Sequence, residues 1–225
     1  MFPVGDTDVR GASLPIVSWV FIALNVLVFL YELSLGDSGL QQFFLQFGVV
    51  PSEIQQGDNL LSLLTSMFMH GGWAHILGNM AFLFVFGDNI EAVMGKVLYP
   101  IFYLAGGLAA SFAHILFNLG SDIPSLGASG AIAAVMGAYA IMFPGARVKM
   151  LIFLGFRAGI TQVSALVFLG IWFLTQLLSG VASLGPATAQ TSGVAFWAHI
   201  GGFVFGLIVG VLFRGRAQQM SLESA

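Results

Sequence analysis

A serine hydroxyl beside a neutral imidazole can cut an acyl bond. The imidazole takes the hydroxyl proton while the oxygen attacks a carbonyl. Ser129, in Ser125-Leu126-Gly127-Ala128-Ser129-Gly130, and His199, in Ala198-His199-Ile200-Gly201-Gly202, suit that chemistry. Both stand near the start of apolar runs, where a polar group is costly and so a functional candidate. Gly127 and Gly130 permit a tight turn and close substrate approach around Ser129. A helix starting at Ser129 would also offer unpaired N–H groups to a developing negative charge. Taken singly, each residue has a plainer use. Ser129 could be a helix N-cap, and His199 a buried ring bonded to a neighbouring helix.

His70, His75 and Asn79 form a second constellation, H-x4-H-x3-N. His75 and Asn79 are four apart and share a helix face. Both can donate hydrogen bonds to an oxyanion. A metal centre is the rival use. Helical histidine ligands favour a spacing of four, whereas His70 and His75 are five apart, and the chain has no cysteine. Neither a metal nor a cofactor is expected. His114 could approach the same cavity, but nothing pairs with it by spacing, so a structural hydrogen bond is its expected role. Asn25 is expected to bond between helices.

These groups need elements to carry them. Of 225 residues, 58% are hydrophobic and 8% charged, against roughly 25% charged in soluble domains. That excludes an ordinary soluble globule and a disordered chain. Seven Lys+Arg and a net charge of −3 leave too little positive charge for nucleic acid. A bilayer core of about 30 Å takes about 20 apolar residues per helix. Stretches at 14–33, 72–91, 97–119, 129–143, 162–181 and 194–213 qualify or nearly so. They do not alternate as barrel strands do. With Asp6 and Asp8 against Arg10 ahead of it, the first stretch reads as a membrane helix rather than a signal peptide. The expectation is an all-α, polytopic membrane protein, a single domain over 1–225. Its long first loop, 34–71, lies in the membrane interface through Leu40, Phe43, Phe44 and Phe47.

Charge orients these helices. Arg10, Lys96, Arg147, Lys149, Arg157, Arg214 and Arg216 fall in the N-terminal tail, the second and fourth loops and the C-terminal tail. The positive-inside rule then places both termini in the cytoplasm. Glu32, Asp37, Glu53, Asp58 and Asp122 fall on the outer side. The fourth and sixth helices would both run inward, with Ser129 and His199 at similar depth in the outer half. Fifteen residues span only ~22 Å at 1.5 Å each, so Ser129 would be recessed. Ala198, Gly202, Gly206 and Gly210 form a small-residue stripe on the sixth helix, and Ser129, Ala133 and Gly137 one on the fourth. Packing stripe to stripe would bring serine and histidine together. Glu91, between Gly87 and Gly95 at the inner end, is expected to hold an inner loop by hydrogen bonds.

His70-Gly-Gly-Trp-Ala-His75-Ile-Leu-Gly-Asn79, Gly127-Ala-Ser129-Gly130, and Ala198-His199-Ile-Gly-Gly202 followed by Gly206 together resemble the rhomboid intramembrane serine proteases in order and spacing. Gly87-x3-Glu91-x3-Gly95 resembles the family's inner-end motif. The resemblance implies a six-transmembrane-helix rhomboid fold without a seventh helix. It implies Ser129 as nucleophile and His199 as general base, with no acidic third member. His75, Asn79 and the Ser129 N–H would form the oxyanion hole, and His70 would be mainly structural. The sequence departs from some members twice. Leu61 and Ser62 stand where those members have Trp-Arg, and Ala133 where they stack a tyrosine on the base. Loop anchoring must therefore differ, and other packing must orient the imidazole.

The expected function is that of an intramembrane serine endopeptidase cleaving transmembrane segments of membrane proteins near the outer leaflet. By the same resemblance, substrates would be single-pass proteins cut at a small residue after passing between helices two and five. The partners are such substrates and the bilayer. The expected location is a prokaryotic cytoplasmic membrane, with the site opening to the extracytoplasmic side. Two rivals are a non-catalytic binder of membrane helices with the same fold, and a small transporter. The first is opposed by retention of Ser129 and His199. The second calls for polar residues at the midplane and broken or repeated helices, and the polar groups here gather in the outer half.

Overall fold

The structure, a computed structural model, describes residues 2–7, 14–154, 157–184 and 194–223. Arg10 and most of the fifth loop lie outside the described residues. Five longer helices dominate: α1 (Ile16–Ser34), α5 (Trp73–Phe117), α6 (Ser129–Met142), α7 (Ala165–Ser183) and α8 (Phe196–Glu223). Between α1 and α5 come three short helices, α2 (Gly36–Phe47), α3 (Pro51–Gln56) and α4 (Ser62–Thr65), then a 3-10 turn at Ser66–Phe68. The segment expected as an interfacial loop is thus largely helical.

α5 is 45 residues long, but Gly95 has φ 79° and ψ 169° and breaks it into two arms. That left-handed φ suits glycine. The arms lie against each other, since a Cβ on Gly87 would sit 2.8 Å from Tyr99 Oη. The predicted second and third stretches are these two arms. α1, α5, α7 and α8 are long and apolar enough to cross a membrane, and α6 is a shorter apolar helix. Leu27, Val97, Phe112, Ile171 and Leu212 stand exposed on the perimeter, as a lipid-facing surface requires. Inside, Leu83, Phe86, Ile90, Tyr99, Tyr103 and Tyr139 are fully buried in one core.

The expected stripe packing occurs with a shifted register. A side chain on Gly202 would strike the Gly130 carbonyl, and one on Gly206 the Ala134 carbonyl. On Gly210 it would reach the Ala138 Cα at 3.0 Å. The α6 stripe is therefore Gly130, Ala134 and Ala138, one residue on from Ser129, Ala133 and Gly137. Gly137 meets α8 at the Phe203 carbonyl instead. The second arm of α5 joins the seam, with Ala110 against Gly130 and Ala113 against Gly201. Only glycine lets backbones approach this closely.

The protein is mostly helical, as expected, but a small sheet joins the bundle. β1 (Phe2–Asp6), β2 (Arg147–Leu154) and β3 (Arg157–Ser164) form an antiparallel sheet in the order β1-β2-β3. Its register pairs Asp6 with Val148 and Arg147 with Ser164. The reason is alternation: Val148 and Met150 are buried while Arg147 is exposed, the period-2 pattern of a strand. The predicted fifth helix accordingly starts at Ala165, since residues 162–164 belong to β3.

At this end of the bundle the polar groups close on one another. The Glu91 carboxylate accepts the backbone N–H groups of Val17 (3.0 Å) and Ser18 (2.8 Å) and the Ser18 hydroxyl (2.9 Å). These are first-turn amides of α1 that have no intrahelical acceptor. Glu91 thus caps α1 from a neighbouring helix, a more specific job than holding a loop. Asp6 Oδ2 accepts from Tyr139 Oη (2.6 Å) and Asn89 Nδ2 (2.7 Å), which pins β1 beneath α5 and α6. Among the described residues Asn25 makes no bond between helices; its Nδ2 donates to the Phe21 carbonyl of its own helix, at 2.7 Å.

Candidate active site

Ser129 is the first residue of α6, and Ala128 holds the N-cap position. The N-cap reading of Ser129 therefore falls away. As the first helical residue, its N–H has no intrahelical acceptor. The approach to α6 is fixed by backbone bonds to the segment between α1 and α5. Val49 N–H donates to the Ser125 carbonyl (2.9 Å), Ser125 N–H to the Val49 carbonyl (2.8 Å), and Gly127 N–H to the Ser66 carbonyl (2.8 Å). Gly127 has φ 123°, and a Cβ there would lie 2.7 Å from His75 Cε1 and Nε2. Backbone conformation and space both demand glycine, and its absent side chain lets the His75 ring lie against the turn before Ser129.

His199 sits in the first turns of α8, bonded through Nε2 to Ser129 Oγ at 2.8 Å. Gly202, one turn further on, keeps α8 against α6 at Gly130, so the seam sets this distance. His199 Nδ1 meets Gln176 Oε1 of α7 at 2.7 Å. The Trp172 ring, also on α7, lies 5.7 Å from the imidazole at an interplanar angle of 38°. These two contacts stand where a stacked tyrosine would require more than Ala133. Gln176 had no place in the sequence reading. Its signal was the single amide side chain in a largely apolar helix, a position where polar groups are costly.

Ser129, His199, His75, Asn79 and His114 line one cavity of about 950 Å³. Asn79 Nδ2 is 2.9 Å from His70 Nε2, and the His70 and His75 rings meet edge to face at 5.0 Å. His70 is itself held from α1: its backbone N–H donates to Glu32 Oε1 (3.1 Å) and Oε2 (3.2 Å). Burial, with His75 nearby, pushes the His70 imidazole down to about 3, so it is neutral near pH 7. His70 lies behind Asn79, outside the cavity lining. His114 has a local partner, Asn118, whose Nδ2 reaches its carbonyl (2.8 Å) and its Nδ1 (3.3 Å). Among the described residues no group of three His, Cys, Asp or Glu side chains could hold a metal ion.

The arrangement has the parts of nucleophilic catalysis. A hydroxyl touches an imidazole, the imidazole has an acceptor behind it, and donor-bearing side chains share the cavity. Comparison with known proteins places these parts in a family context. A Rhomboid domain model matches residues 57–216. The chain is 34% identical over 125 residues to Rhomboid protease GluP of Bacillus subtilis, covering 55% of this chain and 24% of that protein. It is 31% identical over 163 residues to RHOMBOID-like protein 4 of Arabidopsis thaliana, covering 72% and 36%. It is 29% identical over 199 residues to the mitochondrial Rhomboid protein 1 of Saccharomyces cerevisiae, covering 85% and 51%. The chain thus spans from about a quarter to half of the length of these relatives. Since the matched region reaches from the segment before His70 to beyond His199 and takes in most of the chain, the protein belongs to the rhomboid family.

Proposed function

We propose that this protein is an intramembrane serine endopeptidase working through a Ser129–His199 dyad. The observation that carries the reading is the 2.8 Å contact between Ser129 Oγ and His199 Nε2, beside a large cavity within an otherwise apolar bundle. In this mechanism His199 takes the Ser129 proton as Oγ attacks the scissile carbonyl. The oxyanion is held by the Ser129 N–H, His75 and Asn79, whose amide has a second N–H beyond the one facing His70. His199 then protonates the leaving amine, and water resolves the acyl-enzyme. The relative from Bacillus subtilis, named a rhomboid protease, supports a proteolytic function.

The two arms of α5, with α1, α6, α7 and α8, would make six crossings. Lys96, Arg147, Lys149, Arg214 and Arg216 gather at the Glu91 end, which supports placing that end and both termini in the cytoplasm. The cavity would then open to the extracytoplasmic side of a prokaryotic inner membrane. Substrates would be transmembrane segments, locally unwound because a helix hides its carbonyls in its own hydrogen bonds. Reconstituted wild type, Ser129→Ala and His199→Ala, given a panel of single-pass model substrates, test this. Cleavage by wild type alone is the expected outcome. Cleavage that survives Ser129→Ala would overturn the serine mechanism. A fluorophosphonate probe that labels wild type but not Ser129→Ala separates an active serine from a protein that only binds helices.

A further inference from the structure

A lone histidine beside a serine leaves one matter open: which ring nitrogen carries the proton. Only the tautomer with hydrogen on Nδ1 leaves Nε2 free to accept from Ser129, and nothing intrinsic to the ring guarantees it. The side-chain network on α7 favours one choice. The Thr175 hydroxyl donates to the Trp172 carbonyl at 2.6 Å, which leaves its oxygen as an acceptor. Gln176 Nε2 donates to that oxygen at 3.3 Å. The amide is thereby turned with Oε1 toward His199 Nδ1, at 2.7 Å. A carbonyl oxygen can only accept, so Nδ1 must hold the hydrogen, and Nε2 faces Ser129 Oγ with its lone pair. With the amide turned the other way, the ring would donate to the serine and could not serve as its base.

We propose that Gln176 is a positioning residue for His199, setting the tautomer and orientation of the base in the place an acidic third member would occupy elsewhere. This rests on the dyad reading above. Gln176 also stabilises the imidazolium formed during attack, because its carbonyl dipole points at the nitrogen that stays protonated. Being neutral, it does so without adding a charge to an apolar bundle, where an isolated carboxylate would be costly.

The test uses the full chain in liposomes, a cleavable model transmembrane substrate, and the pH dependence of kcat/KM. The base must be neutral to act, so log kcat/KM rises with pH through the imidazole's pKa. The other titratable groups facing the site are His75 and His114 from α5, and they are unchanged in every variant. Gln176→Met keeps length and removes the acceptor. It should lower kcat by about tenfold to a hundredfold, at most the lower end of what base catalysis contributes because the base itself remains, with KM within about twofold. Gln176→Glu restores an acceptor and adds negative charge, which favours the protonated ring. Its plateau should approach that of wild type, with the acid limb moved upward by about one pH unit. A residue that merely packs α7 would move neither the limb nor kcat apart from KM. The proposal is overturned if Gln176→Met matches wild type in kcat, or if Gln176→Glu leaves the acid limb in place. His199→Ala in the same series separates the two failures: activity there sinks the dyad itself, while its loss beside an unaffected Gln176→Met sinks only the positioning role.

Discussion

The bundle buries polar groups at both ends, and the two sets are built differently. At the Glu91 end two carboxylates are closed by donors from other elements, Glu91 by α1 amides and Ser18, Asp6 by Tyr139 and Asn89, while Asp88 Oδ1 accepts from its neighbour Asn89. Glu91 is 3% exposed and Asn89 2%. At the Ser129 end the serine, the imidazole and the donors of His75 and Asn79 share an open cavity. Low dielectric strengthens both kinds of network and penalises any member left unpaired. A closed network therefore acts as a staple between helices. An open one keeps bonding capacity for something that arrives later. Polarity inside an apolar bundle does not by itself mark a site; polarity facing space does.

The sharpest break in this comparison comes from Ser129→Ala. Cleavage should fall by about a thousandfold or more, as losing a nucleophile does, while the unfolding temperature stays within a few degrees of wild type. Glu91→Ala should do the reverse. It strands the Val17 and Ser18 amides without an acceptor and leaves the Ser18 hydroxyl only its 3.3 Å bond to Tyr99 Oη, at about 3 kcal/mol in stability. Cleavage per folded molecule should change little, which parallel thermal unfolding and active-site titration would read. If Glu91→Ala lost activity without losing stability, the two ends would not divide the work in this way.

Between the two ends runs the α6–α8 seam, and Gly206→Val tests whether it transmits one to the other. Its branched side chain would strike the Ala134 carbonyl, and overpacking of this kind costs about 2 kcal/mol. Because the same seam sets the Ser129–His199 distance, activity per folded molecule should fall as well, unlike at Glu91. A variant that unfolds more easily yet cleaves at the wild-type rate would show that the dyad is held by other contacts.

What was legible in the sequence follows the same division. That Ser129, His199, His75 and Asn79, the residues of the proposed site, come together around one cavity could be anticipated, because helical spacing puts them on defined faces and apolar neighbours make them conspicuous. The register of α6 was not legible. Small residues surround that helix at Gly130, Ala131, Ala133, Ala134, Gly137 and Ala138, so no periodicity selects a face. The sheet was hidden because Arg147 and Lys149 read as markers of a loop, while the alternation of Val148 and Met150 is short. Gln176 and Glu32 were missed for a different reason. Each is a single polar residue whose meaning depends on a partner, His199 or the His70 amide, that only tertiary packing supplies. Glu32 read as an outer-side acid, yet it is 2% exposed.

Glu32 gives the smallest and most discriminating prediction, because it is a closed staple placed at the open end. Its carboxylate holds the His70 amide, His70 bonds Asn79, and Asn79 faces the cavity. Glu32→Gln keeps an acceptor for the His70 N–H and should leave cleavage within about twofold of wild type. Glu32→Leu removes it. The unpaired amide costs about 1 kcal/mol in stability, and the loosened Asn79 should lower kcat by about tenfold with little change in KM. Neighbours acting through one network are not additive. In an Asn79→Ala background, Glu32→Leu should therefore cost little further activity while its stability loss remains. If the tenfold loss persisted in that background, Glu32 would be acting on cleavage by a route other than Asn79, and the staple would have no link to the site.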